Sequence, residues 1–189
     1  MGWRQMTLDD LKSVMEIADK VHPNLPESEH VFAERVTTFP EGCLVLLDNE
    51  KETLIVGYTI SHPIRHRQPP ALDGPMLKGR LDPLAVDQYY IHDLAILRDW
   101  RGFGFATEGL AVIAKVADRY PTTCLISVYG TEPFWRLFGF QQPPGGIDAA
   151  LSDKVKGYGE DAVFLEGRAF GEASMTSSIF NINNKKYYH

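Results

Sequence analysis

Two cysteines in 189 residues, Cys43 and Cys124, supply neither a disulfide framework nor a multi-cysteine metal centre. Both stand in apolar, strand-forming surroundings, where a free thiol packs as a small hydrophobe. Positive charge is also scarce. The 19 Lys and Arg residues face 25 Asp and Glu, and the formal net charge of −6 argues against nucleic acid, whose binders present clustered cationic surface. A cationic partner suits this balance better. No apolar run approaches the roughly 20 residues needed to cross a bilayer, and the opening MGWRQMTLDD has no signal-peptide core, so a cytoplasmic protein without a membrane partner is expected. Two phosphate-loop patterns are missing as well. A dinucleotide loop built on Gly102 and Gly104 would need Gly or Ala at Thr107, and no Gly-Lys-Ser/Thr exists for a P-loop.

What is present is ordinary globular composition, 44% hydrophobic and 23% charged, in a length suited to one core. The expected organisation is a single domain over 1–170 followed by a polar tail, 171–189, rich in Ser, Asn and Lys. Along the chain a short strand at 3–6 precedes a helix that starts near Thr7, with apolar positions at Leu8, Leu11, Val14, Met15, Ala18 and Val21. A second helix is predicted from about Glu27 to Thr38, then a hairpin from Gly42–Leu47 and Thr53–Ile60. Residues 63–86 hold five prolines and the bases Arg65, His66, Arg67, Lys78 and Arg80; so long a connection is expected to lie over an acceptor site or to be a basic insertion. A helix over Thr107–Tyr120, a strand over Thr122–Tyr129, a short helix over Glu132–Phe138 and a strand over Ala162–Glu166 complete an α/β order.

The stretch YYIHDLAILRDWRGFGFATEGL, residues 89–110, organises the rest. An apolar strand ends at Leu97, a turn carries Gly102 and Gly104, and a helical pattern begins. The first N–H groups of a helix have no internal acceptor and sit at the positive end of its dipole, so this turn is an anion site. Arg101-Gly102-Phe103-Gly104-Phe105-Ala106 resembles the pyrophosphate-binding signature of the GNAT acetyltransferases. Leu94-Ala95-Ile96 stands where that family has its strand "Leu-Ala-Val", and Pro133–Phe140 is similar to its "Phe-Tyr-x-x-x-Gly-Phe". The resemblance covers residues 88–141 and implies a central mixed, mostly antiparallel sheet flanked by helices, acetyl-CoA as co-substrate and no metal. It further implies that the backbone of Leu94, Ala95 and Ile96 pairs with the pantetheine arm, and that Arg101, Gly102, Phe103, Gly104, Phe105, Ala106 and Thr107 wrap the pyrophosphate. Leu94 N–H is then the candidate to polarise the acetyl carbonyl.

Direct acetyl transfer needs a neutral amine. A lysine-like amine is neutral about once in 2,500 molecules at pH 7, a cost of roughly 4.6 kcal/mol, so a proton acceptor is useful. Strand alternation is expected to put Tyr90, His92, Leu94 and Ile96 on one face and Asp93 on the other. Ile91–Ile96 resembles the arylalkylamine N-acetyltransferase branch, with His92 at the second of two histidine positions and Tyr90 in place of the first. His92 is therefore either the proton acceptor or a structural histidine. Trp135 replaces a family tyrosine that protonates the departing thiolate, and an indole N–H is not a usable acid. Tyr129, Tyr90 or water remain for that step, and Trp135 is assigned to packing against the pantetheine arm or the acceptor. The acceptor is expected to be a small amine such as an aryl-alkylamine or polyamine. The alternatives are a peptide or protein amine and an acyl-CoA sensor without turnover, and the protein is expected to be a monomer or homodimer.

Overall fold

A computed structural model describes residues 2–48, 53–76 and 85–168. The expected hairpin turn at 49–52, the bases Lys78 and Arg80, and the tail 171–189 lie outside the described residues. Six strands form one sheet in chain order: β1 (Gly2–Gln5), β2 (Cys43–Leu47), β3 (Ile55–Ile64), β4 (Gln88–Ile96), β5 (Thr122–Ser127) and β6 (Val163–Arg168). Every neighbouring pair is antiparallel except β4 with β5. Helices α1 (Leu11–Val21) and α2 (Glu29–Thr38) cover one face, burying Leu11, Val14, Phe32 and Val36 against Val45, Tyr58 and Ile60. Helix α3 (Phe105–Ala117) covers the other, with Leu110, Ile113, Ala114 and Ala117 on Leu44, Tyr89, Ile91 and Leu125.

Three expectations change. Leu8 is 55% exposed, because Leu8–Asp10 is a 3-10 turn that precedes α1, while Ile17 supplies the apolar stripe instead. Strand β3 extends to Ile64 and shortens the following loop. A helix not foreseen, α5 (Ala149–Lys156), follows α4 (Glu132–Arg136) and buries Leu151 and Val155 with Tyr90, Cys124 and Phe164. Its start is fixed by Asp148, whose side chain accepts from Leu151 N–H at 2.8 Å.

The entry to α1 is held by Asp10. Its carboxylate accepts from Thr7 N–H at 2.8 Å and from Arg4 at 2.7 Å on each oxygen, tying β1 to the first helical turn. The Arg4 hydrogen bonds are the largest cause that lowers its pKa to about 2. A lowered carboxyl contributes stability above its unfolded value near 3.9, and that contribution is lost as pH falls through about 2. Asp10→Asn should therefore cost about 1 kcal/mol at pH 7 and reduce the pH dependence of stability below pH ~4, read from urea midpoints across pH.

The feature that shapes the site is a bulge in β4. Ile60 faces Asp93 and Ser61 faces Ile91, so His92 is the extra residue. One inserted residue reverses the alternation after it. Leu94 packs against the α3-side cluster that holds Ile91 and Leu110, and Ile96 belongs to a cluster packed with Phe105 and Ala106 there. Asp93 and Ala95 turn to the α1 side, where Tyr90 and His92 also lie. The expected shared face of Tyr90, His92, Leu94 and Ile96 is thus broken at His92, and Asp93 joins the histidine rather than opposing it.

Candidate active site

Strand β4 pairs with β5 only through Gln88 to Ile91, opposite Thr122 to Leu125; beyond them it keeps β3 alone as a partner. The two parallel strands part, and a cavity of about 630 Å³ opens between them. Leu97 N–H donates to Val56 O of β3 at 2.9 Å, so in an antiparallel ladder Ala95 also turns its backbone to β3, and Leu94 and Ile96 turn theirs to the notch. Leu94 and Ile96 line the cavity, whereas Ala95 is 1% exposed and is not among its lining residues.

One end of the cavity is the glycine turn. Gly102 has φ 85° and Gly104, the residue before α3, has φ 90°, a left-handed conformation that L side chains rarely take. A Cβ on either would meet no atom within 4 Å, so the backbone faces open space. Glu108 N–H donates to Gly104 O at 3.1 Å, and the N–H groups of the preceding residues have no acceptor within the helix. Arg101, Gly102, Gly104, Phe105, Ala106 and Thr107 line this end. Phe103 does not; it is 64% exposed with its ring beside Phe105. Arg101 Nε donates to Ile96 O at 2.7 Å, which fixes the turn to the end of β4. From β1, the edge strand of the sheet, Trp3 Nε1 donates to Phe105 O at 2.9 Å and its ring lies over Gly109, fixing the helix start.

The other end is polar. His22, at the end of α1, places Nε2 2.9 Å from Asp93 Oδ1, and the Tyr58 hydroxyl donates to Asp93 Oδ2. His92 Nε2 lies 2.9 Å from Glu27 Oε2. The segment between α1 and α2 and the bulged strand are thus joined by two imidazole–carboxylate pairs. Burial disfavours the charged His22, but the charge and hydrogen bond of Asp93 outweigh it and raise its pKa. Burial likewise pushes Asp93 up, and His22 with the Tyr58 hydroxyl brings the net shift below the usual carboxylate range. The neighbouring His62 is fully enclosed, and burial lowers it to about 3.

Tyr129 stands on the cavity wall, 42% exposed, with φ 53° and its ring stacked on His22 at 5.7 Å. Tyr90 does not reach the cavity. It is fully buried with Cys124 and Ile64, its hydroxyl lies beside that of Tyr158, and burial followed by that second phenol raises it far above the usual value. Trp135 lines the cavity from the α3 core, edge-on to Phe134 and Phe140. His22 went unnoticed in the sequence, where it merely ends a helix before Pro23; only the fold brings it to Asp93. Among the described residues no group of three or more His, Cys, Asp or Glu could hold a metal ion.

A strand that parts from its parallel neighbour beside a glycine turn is an arrangement that other proteins share. The sequence profile of the Acetyltransferase (GNAT) family matches residues 11–140. The chain belongs to the GNAT acetyltransferase family. No curated protein sequence matches it. Among solved structures, this GNAT chain is similar to a GphF GNAT-like decarboxylase in complex with isobutyryl-CoA, at 19% identity and TM-score 0.67 over 89% of this chain and all of the other. A chain of the NatC complex bound to Gag peptide and CoA is 16% identical with TM-score 0.62, covering 88% and 97%. Ard1 from Thermoplasma volcanium is 13% identical with TM-score 0.61, covering 89% and 97%. At such identities these likenesses establish the GNAT fold, a six-stranded mixed sheet flanked by helices. They lend no support to the narrower resemblance to the arylalkylamine branch, which rests on His92.

Proposed function

We propose that this GNAT protein moves an acetyl group from acetyl-CoA to a primary amine by direct attack of the amine on the thioester. The observation that carries the reading is the notch itself, which joins an open glycine turn at the start of α3 to an anionic, imidazole-bearing pocket. The pyrophosphate lies on the N–H groups at the start of α3, and the pantetheine arm runs along the open edge of β4, paired with Leu94. Leu94 N–H then stabilises the oxyanion that forms on the acetyl carbonyl. Solved neighbours bound to CoA, such as the NatC complex and the decarboxylase, are consistent with this placement.

The acceptor is read as a small amine. Segment 65–76 lies across the acceptor end: Asp73 accepts from Ser28 N–H at 2.7 Å, its own N–H donates to Glu27 at 3.1 Å, and Leu72 lines the cavity. An ammonium entering there meets Asp93 and Glu27, and an apolar body meets Leu25, Phe32 and Leu72. A peptide α-amine is the second reading, favoured by the neighbour bound to Gag peptide. Free-thiol release from acetyl-CoA with a panel of aryl-alkylamines, polyamines and short peptides separates the two; silence with every amine while acetyl-CoA still binds would favour a sensor.

Tyr129 is the phenol placed to protonate the departing thiolate. Tyr129→Phe should slow the acetyl step about 10- to 100-fold with acetyl-CoA binding near normal, because an interaction made only in the transition state is lost. A variant with unchanged single-turnover rates at every pH would assign that proton to water.

A further inference from the structure

Two imidazole–carboxylate pairs stand side by side in the pocket, and they differ in access. The side chains of His92 and Glu27 are 1% and 9% exposed, those of His22 and Asp93 16% and 13%. Asp93 is held on both oxygens, by His22 on one and the Tyr58 hydroxyl on the other, so its position is fixed. A carboxylate only accepts, so His22 Nε2 carries the proton in that pair and the Nδ1 lone pair is left over. No described group bonds Nδ1.

We propose that His22 takes the ammonium proton of the acceptor, with Asp93 as the positioning residue that fixes its ring. The inference rests on the amine-acetyltransferase reading above and names the base for it, in place of His92. In this step the acceptor R–NH3⁺ gives one proton to His22 Nδ1. The freed amine lone pair forms the C–N bond to the thioester carbon, the C–S bond breaks, and the second amine proton reaches the sulfur to give CoA-SH. His22 then releases its proton to solvent, so each turnover yields amide, free thiol and one H⁺.

Nδ1 is sealed in the structure, and Tyr129 lies against the imidazole in a left-handed conformation that costs a tyrosine energy, followed by Gly130 at φ 67°. An acceptor reaches Nδ1 only if the wall beside His22 moves, and in this proposal the segment that moves is the Val128–Gly130 turn, strained at Tyr129. The charged and titratable groups that face His22 are Asp93 from β4, Glu27 from the loop before α2, Asp19 one turn back on α1, Tyr129 after β5, and Arg101 from the glycine turn. The carboxylates favour the imidazolium and Arg101 opposes it.

The test is kcat against pH at saturating acetyl-CoA and amine. The wild-type rate should rise with pH through a limb above the ordinary histidine value of about 6.5, and an NMR titration of the His22 ring should give the same midpoint. His22→Gln should lower kcat about 10- to 10³-fold and abolish the limb. Asp93→Asn should move the limb to lower pH, a displacement that a merely structural role would not produce. His92→Gln should keep it. A limb that survives His22→Gln, or that moves with His92→Gln and not with Asp93→Asn, overturns the assignment of His22 while leaving amine acetylation in place. Should His22→Gln fail to fold, a mismatch between the wild-type NMR midpoint and the kinetic limb overturns it equally. Absence of any amine-dependent turnover in the wild-type protein overturns both readings.

Discussion

Gly104→Val should raise the acetyl-CoA Kd about 100-fold and leave the amine Michaelis constant within a few fold. Gly104 holds φ 90° at the start of α3, and a β-branched residue cannot take that conformation without strain of roughly 1–2 kcal/mol. The strain is relieved by turning the peptide, which re-aims the N–H groups of the first helical turn away from the pyrophosphate. Each hydrogen bond to a charged group is worth about 1.5–3 kcal/mol, so losing one or two accounts for a factor of this size. Because no atom stands within 4 Å of the added Cβ, the fold itself has room for the change. Calorimetric titration with acetyl-CoA, alongside a thermal melt, reads both parts. Equal loss for both substrates in a folded variant would remove the pyrophosphate from this turn.

Gly109→Leu should be the most destabilising single change considered, about 3 kcal/mol or more. A Cβ at Gly109 would stand 2.7 Å from two atoms of the Trp3 indole, and a leucine adds three further carbons in the same direction. Trp3 cannot simply withdraw, since its Nε1 is bonded to Phe105 O at the helix start. The expected result is a lower urea midpoint with weakened acetyl-CoA binding, as the clash at Gly109 is passed to the phosphate turn through Phe105. Trp3→Ala in the Gly109→Leu background should restore part of the stability. A Gly109→Leu protein as stable as wild type would show that β1 does not press on α3.

The fold was legible in the sequence wherever local pattern decides it. Strand, glycine turn and helix over residues 89–110 follow from apolar alternation, two glycines and a helical stripe, and the structure places β4, Gly102, Gly104 and α3 there. Helix α5 was missed because Ala149–Lys156 is short and charged. The signal was present in Asp148 as a cap and in Leu151 and Val155 four residues apart.

The site was legible only in part. Alternation carries side chains correctly to Ile91, and one bulged residue then exchanges the faces, so Leu94 and Asp93 were each placed opposite to where they lie. A bulge has no composition of its own that a strand pattern reveals. His22 is 71 residues from Asp93, and no periodicity relates the two; their pairing is a property of how α1 packs on β3 and β4. Glu27 stood in the sequence only as the start of the second helix, and its pairing with His92, 65 residues away, has no local signal either.

The central claim is that the notch between β4 and β5 carries acetyl transfer to an amine. The most direct measurement is acetyl-CoA consumption, followed as free thiol, with the acetylated product identified by mass spectrometry across the amine and peptide panel. The account predicts amine-dependent thiol release, a product acetylated on nitrogen, and loss of both in Gly104→Val at low acetyl-CoA. Thiol release that is independent of every amine, or no release while acetyl-CoA binds normally, would contradict it.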